Sequence, residues 1–386
     1  MSLPPPAPPP AFRRLIILTL LAGAVVMFLS LFVTRHMTKS KEGRQTVWAK
    51  PPAAAAVDPA AQPGPKAGTD GKSRPTPASA GKARSGALSK TTAAPLQFDV
   101  YPRPVTSWFE AQIALARQVY SCGSIDGIAG VQTVRALRAF QENEGLSVTG
   151  RLDDLTRPRL ELAAPPLTQY VVSAEDLARL QPLSPTWLGK SQQSALDYET
   201  VLELVAERAH AHPKLLLQLN PDVNWDKIIP GTELTVPALG VVSPRTKAVC
   251  LYVRLADNVL EARDENDALI VHFPVSIARN VEKRPVGELH VTVIIPNPDY
   301  TFDPAVFPES QEGRQLARRL VVPPGPNNPV GVAWIGLDQP GYGIHGTPDP
   351  EKVGRTESHG CFRLANWDAL TLLDVAWVGL PVIVAP

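Results

Sequence analysis

Residues 34–97 constrain the architecture of this 386-residue chain more than any other stretch. They are rich in proline, alanine, lysine and glycine and contain almost no large apolar side chains. A segment of this composition buries too little apolar surface to offset the entropy lost on ordering, so we expect a disordered linker. The chain is therefore predicted to fold as separate modules rather than around one continuous core.

The run at residues 15–33 carries no charged side chain. As a helix it would rise about 28 Å, which matches the hydrocarbon core of a bilayer. We predict a single membrane-spanning helix, with residues 1–14 as a cytoplasmic tail. A cleaved signal peptide is the alternative, but the run is longer than a usual signal core, and its small-residue triplet at 22–24 lies inside it. Basic residues flank both ends, so charge does not decide the orientation.

Composition excludes some classes of function. The net charge is +1 and no basic stripe is interleaved with aromatic residues, so a nucleic-acid partner has no support. Three cysteines are too few for a disulfide scaffold. Cys122 and Cys250 fall in different modules, where they can either pair or remain two separate thiols. We favour separate thiols, because Cys122 occupies a helix-end position suited to a small apolar residue.

Residues 98–165 show apolar positions at three- and four-residue steps, which predicts a small helical domain. The turn at 125–133 contains Asp126, Gly127, Gly130 and Thr133, and it is followed by Phe140-Gln141, the Gly145–Gly150 stretch and Thr156. This ordered set resembles the peptidoglycan-binding-domain-1 family of three-helix modules. The resemblance implies a glycan-directed accessory domain.

Residues 166–240 have a strand, helix, helix, strand order that resembles a LysM module with an insertion at 181–197. In place of the usual Gly-Asp-Thr after the first strand, this chain has Ala174-Glu175-Asp176. A working glycan-binding module and a degenerate spacer therefore both remain open.

Residues 247–386 are predicted to be mostly β, with alternating strand patterns at 248–255, 269–277 and 289–295. Near the end of this domain lie His345, His359 and Cys361. A cysteine with a neighbouring imidazole is the minimum equipment for covalent acyl transfer, because the imidazole removes the thiol proton. The fold class is thus a multidomain α+β chain with a mostly-β catalytic domain at its C-terminus. The polar, proline-interrupted segment 296–330 is expected to form a flap over the cleft.

The spacing of His345 and the Ser358-His359-Gly360-Cys361 motif, followed by Arg363, closely resembles the YkuD-type L,D-transpeptidase catalytic domain. The resemblance implies that a cysteine thioester forms on a peptidoglycan tetrapeptide stem with release of D-alanine. An amine from a second stem then takes the acyl group, giving a cross-link in the bacterial wall without any cofactor. It also implies that the catalytic domain lies on the periplasmic, wall-facing side of the inner membrane.

The resemblance implies that Cys361 is the nucleophile and that His345 is the proton donor and acceptor, its ring held by a backbone carbonyl such as that of Gly346. Spacing alone would instead favour His359 as the base. Backbone N–H groups around Gly360 and Cys361 are candidates for the oxyanion hole. Arg363 can either bind a stem carboxylate or brace its loop. Further expected site residues are Ser358, and, for substrate binding, Tyr342, Gly346, Asn366 and Asn328.

Other functions remain in view. His345, His359 and Cys361 form a chemically sound zinc ligand set, but there is no HExxH-type helix and the resemblance needs no metal. A non-catalytic wall-binding protein is a second alternative. Attack of water on the thioester would make an L,D-carboxypeptidase, and a protein amine as acceptor would attach that protein to the wall. The remaining histidines at 210, 212, 272 and 290 are expected to be structural.

Overall fold

The computed structural model describes residues 100–240, 243–244, 246–305, 310–355 and 360–386. The predicted cytoplasmic tail, membrane helix and linker fall outside these ranges, as do Ser358 and His359. Within the described ranges, no helix combines the length and apolar character needed to cross a bilayer. Residues 92–386 form one compact unit, so the modules from residue 100 onward pack against one another.

The first module contains two helices and one small pair of antiparallel strands, with bounds α1 (Trp108–Ala116), α2 (Val131–Asn143), β1 (Arg103–Pro104) and β2 (Glu161–Leu162). Gln112, on α1, fastens the turn that the sequence analysis singled out: its Oε1 accepts from the N–H of Gly127 at 2.7 Å. A third helix was predicted, but a run of turns occupies 154–159. Pro158 lies within this run and has no N–H for a helical hydrogen bond.

The first and last strands of the second module pair antiparallel, and four short helices lie between them in the sequence. The bounds are β3 (Leu167–Val171), α3 (Ala174–Ala178), α4 (Trp187–Ser191), α5 (Val201–Arg208), α6 (Pro213–Leu219) and β4 (Glu233–Pro237). Three of these helices begin at a Ser or Thr cap whose hydroxyl accepts a backbone N–H. The predicted insertion supplies helix α4.

The third module is built on an eight-stranded sheet. Its elements are β5 (Cys250–Arg254), β6 (Val259–Arg263), β7 (Leu269–Pro274), β8 (Gly287–Pro296), β9 (Tyr300–Phe302), α7 (Gln311–Leu316), β10 (Leu320–Val322), β11 (Ala333–Leu337), β12 (Gly343–His345), β13 (Phe362–Arg363), α8 (Asn366–Val375) and β14 (Pro381–Ala385). The strand order in the sheet is β13-β12-β11-β8-β14-β5-β6-β7. The backbones of Ser276 and Arg363 exchange two hydrogen bonds, at 2.9 and 3.0 Å. Because Ser276 follows β7 and Arg363 lies in β13, this pair joins the two ends of the curled sheet. The prediction of a mostly-β catalytic domain is confirmed.

The segment 296–330 forms a hairpin, β9 paired antiparallel with β10, with helix α7 between the strands. This hairpin packs against helix α4 of the second module, where the Trp187 ring stacks on Phe302 at 4.3 Å. Both carboxylate oxygens of Glu312, on α7, accept backbone N–H groups from the first turn of α4, at 2.8 Å each. The expected flap is therefore a structured element buttressed by a neighbouring module.

The first module docks on the sheet of the third. Backbone hydrogen bonds join Ser121 N to His272 O at 2.8 Å and His272 N to Val119 O at 3.0 Å. The Ser121 hydroxyl also donates to Asp368, on α8, at 2.9 Å. These contacts fix the helical module beside β7 and the start of α8.

Candidate active site

His345 and Cys361 lie on neighbouring parallel strands. The register pairs Ile344 with Phe362, and both of these side chains are buried in the core. Extending the register by one residue brings Cys361 opposite Gly343. Since side chains alternate along a strand, Cys361 and His345 share the face opposite the core. Gly343, opposite Cys361, has no side chain on this shared face.

The ring of His345 is fixed from two sides. Its Nδ1 lies 2.6 Å from the carbonyl oxygen of Gly346, and its plane stacks on Trp334 at 5.7 Å between centroids. A carbonyl can only accept, so Nδ1 carries the proton and Nε2 is left as the acceptor. Burial lowers the pKa of His345 to about 4, against the opposing effect of the Gly346 carbonyl. The imidazole is therefore neutral at physiological pH and ready to take a proton.

Trp334 requires a glycine on the strand beside it. A Cβ at Gly343 would lie 2.6 Å from two atoms of the Trp334 ring, which no side chain tolerates. The tryptophan therefore covers Gly343 and at the same time presents its face to His345. This arrangement explains the glycine two residues before the histidine.

The Cys361 thiol is half-buried, and its Sγ lies 3.6 Å from the carbonyl oxygen of Gly341. Burial raises its pKa, and the backbone at Gly343 and the positive charge of Arg363 oppose that rise. With a raised thiol pKa beside a lowered imidazole pKa, the resting pair is neutral. Attack by this thiol would transfer its proton in the same step, by general-base catalysis rather than from a preformed ion pair.

Three other predicted residues lie beside the pair. A Cβ at Gly360 would lie 3.8 Å from the Tyr342 ring, so the tyrosine flanks the segment that leads into Cys361. The Arg363 backbone is held by Ser276, and its guanidinium makes no hydrogen bond to the part of the chain that the structure describes. The bracing alternative for Arg363 thus applies to its main chain. Its positive charge lowers the pKa of both the thiol and the imidazole.

Asn328 and Asn366, predicted to bind substrate, are completely buried. The Asn328 amide donates to Pro323 O at 2.8 Å and accepts from Val330 N at 3.0 Å, which closes its own loop. Asn366 is likewise enclosed by protein groups. Both asparagines therefore shape the backbone around the site from within, and neither presents an atom to the cleft.

Sequence reasoning missed Tyr300, on β9. Burial raises its pKa to about 12, and the charge of Cys361 is the next largest contribution. The tyrosine therefore lies within electrostatic range of the nucleophile. The one sequence signal for Tyr300 was its position in the proline-interrupted flap. A sequence pattern does not show which part of the domain such a hairpin packs against.

The other histidines that are described have structural surroundings. His210 is buried and stacks on Trp367 at 4.9 Å, and burial lowers its pKa to about 3. His272 bonds Glu261 at 2.9 Å inside the sheet. Across the described ranges, no three His, Cys, Asp or Glu side chains are grouped so as to hold a metal ion. Cys122 is buried, Cys250 is half-buried, and both are free thiols.

Comparison with known proteins agrees with the motifs. Residues 249–384 match the family model described as the L,D-transpeptidase catalytic domain, YkuD. Residues 106–160 match a second model, described as "Putative peptidoglycan binding domain". Both of these resemblances inferred from the sequence are confirmed.

Individual relatives carry the same description. The Bacillus licheniformis protein "Putative L,D-transpeptidase YkuD" is 29% identical over 185 residues, which cover 48% of this chain and 93% of the relative. The Bacillus subtilis protein "Putative L,D-transpeptidase YqjB" is 32% identical over 117 residues, covering 29% of this chain and 57% of the relative. A solved L,D-transpeptidase structure from Xylanimonas cellulosilytica aligns at 13% identity with a TM-score of 0.31, over 75% of this chain and 97% of that one.

Proposed function

We propose that this chain is a peptidoglycan L,D-transpeptidase that works as a cysteine acyltransferase. The observation that carries the proposal is the shared face of Cys361 and His345, with Nδ1 of the histidine bound to a carbonyl and Nε2 left to accept a proton. The matched catalytic family and the matched peptidoglycan-binding family support the same substrate.

In the first half-reaction, Sγ of Cys361 attacks the carbonyl carbon that joins the penultimate residue of a tetrapeptide stem to its terminal D-alanine. The thiol proton passes to Nε2 of His345 as the carbon–sulfur bond forms. Backbone N–H groups near Gly360 and Cys361 are suited to stabilise the oxyanion. Collapse of the tetrahedral intermediate breaks the carbon–nitrogen bond, and His345 returns the proton to the departing amine of D-alanine.

In the second half-reaction, an acceptor amine attacks the thioester carbonyl and His345 takes its proton. The carbon–sulfur bond breaks, the proton returns to the thiol, and an amide between two stems remains. The guanidinium of Arg363 is suited to a stem carboxylate, which it can bind with two hydrogen bonds.

This activity places the catalytic domain on the wall side of the inner membrane. The apolar run at 15–33 supplies an anchor in this proposal, and residues 34–97 supply the tether. A flexible chain of that length spans on the order of 40 Å, so the folded unit can reach into the wall while its N-terminus stays in the bilayer.

The test is to incubate the full chain and its Cys361→Ala variant with tetrapeptide muropeptides and to follow both protein and products by mass spectrometry. We expect an acyl adduct on the wild type only, loss of D-alanine and a cross-linked dimer. The Cys250→Ala variant is the matched control, since it removes a thiol outside the site and should react like the wild type.

Two results would change the assignment. Tripeptide product without any dimer would make the enzyme a carboxypeptidase. An absence of adduct on wild type and variant alike would overturn the enzymatic proposal and leave a wall-binding protein.

A further inference from the structure

The buried side chain of Asn366 uses its whole hydrogen-bonding capacity. Its Oδ1 accepts from Thr347 N at 3.1 Å and Val332 N at 3.3 Å. Its Nδ2 donates to Pro326 O at 3.1 Å and to Glu207 Oε2 at 2.8 Å. Two donors on one side and two acceptors on the other permit one orientation of the amide.

Asn366 reaches the catalytic histidine through a single peptide group. Thr347 N and Gly346 O belong to the same peptide plane, and the oxygen of that plane accepts from Nδ1 of His345 at 2.6 Å. A Cβ at Gly346 would lie 2.3 Å from Oδ1 of Asn366, so the amide packs directly on this backbone. Whatever holds Asn366 therefore also holds the carbonyl that fixes the histidine tautomer.

The hydrogen-bond network of Asn366 extends from the catalytic domain into the second module. Glu207 lies on helix α5 of the second module, and its Oε1 accepts from the hydroxyl of Tyr198 at 2.8 Å. Burial raises the pKa of Glu207, and the donors Asn366 and Tyr198 oppose that rise. Among charged groups, Glu203 adds to the rise and Arg179 counteracts it.

We infer that Glu207 is a positioning residue for His345 and thereby makes the second module part of the active site. The carboxylate acts through Asn366 and the peptide group between Gly346 and Thr347. The predicted effect on the acylation rate rests on the transpeptidase proposal. The series of hydrogen bonds from Glu207 to His345 does not, because it is present without substrate.

The physical basis is the polarisation of linked hydrogen bonds. An ionised carboxylate accepting from Nδ2 increases the electron density on Oδ1 of the same amide, which strengthens its bond to Thr347 N–H. That bond in turn makes the Gly346 carbonyl a better acceptor. The Nδ1 proton is then held more firmly, and Nε2 becomes more basic. The effect is that of a triad carboxylate transmitted through two amides.

The test uses the full chain with Glu207→Gln, which keeps an acceptor oxygen for Asn366 and removes the charge. We expect the rate of Cys361 acylation by tetrapeptide stems, at about pH 8, to fall roughly tenfold, while KM changes less than twofold. A merely structural role would survive this change, because the glutamine oxygen accepts from Asn366 and its N–H can donate to the Tyr198 hydroxyl, which rotates to accept. A wild-type acylation rate in the folded variant would therefore overturn the inference.

Glu203→Gln is the matched control. Glu203 is one turn earlier on the same helix, is half-buried like Glu207, also has a raised pKa, and also binds a catalytic-domain asparagine, Asn327. Among the described residues, the Asn327 side chain makes no hydrogen bond to the His345 network. We expect this variant to acylate at the wild-type rate, and an equal loss in both variants would mean that only module docking matters.

A spectroscopic readout separates this inference from the proposed reaction. In protein labelled with ¹⁵N-histidine, the Nδ1–H resonance of His345, identified by its loss in His345→Asn, should move upfield in Glu207→Gln and stay in place in Glu203→Gln. If stems fail to acylate any variant but the resonance moves, the inference stands and the transpeptidase proposal fails. If the resonance does not move, the inference fails whatever the activity.

Discussion

At the scale of single residues, the candidate site contains two groups whose pKa values are shifted away from each other. Burial raises that of Cys361 and lowers that of His345. A thiol and an imidazole at their usual pKa values already keep most of the proton on sulfur near neutrality, and these two shifts increase that preference. Here the proton stays on sulfur and the base stays free, which suits an enzyme whose nucleophile must survive until a substrate carbonyl arrives.

The lowered pKa of His345 predicts an unusual pH profile. An ordinary histidine would lose activity below about pH 6.5. Because the neutral form of His345 persists down to about pH 4, the acylation rate should stay nearly constant between about pH 7 and pH 5. The measurement is the initial rate of acyl-enzyme formation by mass spectrometry across that range. An acid limb centred near 6.5 would contradict the prediction.

Loss of the fold at low pH must be distinguished from loss of catalysis in this experiment. The lowered pKa of His345 also determines how the free energy of unfolding changes with pH. As pH falls from 6.5 towards 4, the unfolded chain takes up a proton at residue 345 that the folded chain refuses. The unfolded state then binds more protons, so the free energy of unfolding decreases over that window. Circular dichroism at each pH separates loss of fold from loss of catalysis.

The candidate catalytic residues were chosen from the sequence, but their surroundings could not be predicted from it. Cys361 and His345 belong to a motif with a characteristic spacing, so the sequence alone could propose them as the reacting pair. Asn366 stands just beyond that motif and was taken for a substrate ligand, but its burial comes from helix α8 folding inward. Glu207 lies far away in the chain, and no local pattern could place it next to Asn366.

At the scale of elements, alternation predicted strand β5 well because only one of its faces is buried, whereas β6 is buried on both faces and so lacks that pattern. The helical module was harder. Its two helices follow apolar periodicity, whereas the predicted third is a run of turns containing Pro158. The hairpin of β9 and β10 depends on a partner outside its own module, helix α4, and such a contact leaves no trace in local sequence.

The hairpin is predicted to loosen when that partner is removed. Trp187→Ala eliminates the ring that stacks on Phe302 at 4.3 Å, a contact worth about 1 kcal/mol. Limited trypsin digestion should then cleave after the exposed residues Arg318 and Arg319, beside β10, about fivefold faster than in the wild type. Since Tyr300 lies on the same hairpin, KM for stem peptides should rise as well.

Trp377→Ala provides the control for that digestion. It removes an equally large ring from the loop between α8 and β14, where the indole N–H donates to Ala248 O at 2.8 Å. Cleavage at the hairpin should remain at the wild-type rate in this variant. Equal acceleration in both variants would mean general destabilisation instead of local loosening.

At the scale of the whole molecule, hydrogen bonds between polar side chains join the accessory modules to the catalytic domain. The second module reaches the site through the Glu207 and Asn366 pair, and the first reaches helix α8 through Ser121 and Asp368. The sequence predicted the order of the modules from their motifs. It did not predict that they form one compact unit, because each docking contact joins residues more than a hundred positions apart.

The contact between Ser121 and Asp368 gives this unit a pH-dependent weakness. Burial raises the pKa of Asp368 to about 8, against the hydrogen bond from Ser121. Above about pH 4 the unfolded chain releases this proton while the folded chain keeps it, so stability falls as pH rises towards 8.

Asp368→Asn cannot lose a proton and still accepts from Ser121. We expect its melting temperature to exceed that of the wild type by roughly 5 °C at about pH 8, with little difference near pH 4. Asp374→Asn, an exposed position on the same helix, should change neither. An equal loss of stability at both pH values in Asp368→Asn would show that the carboxyl group is needed for packing and that its ionisation is not the weakness.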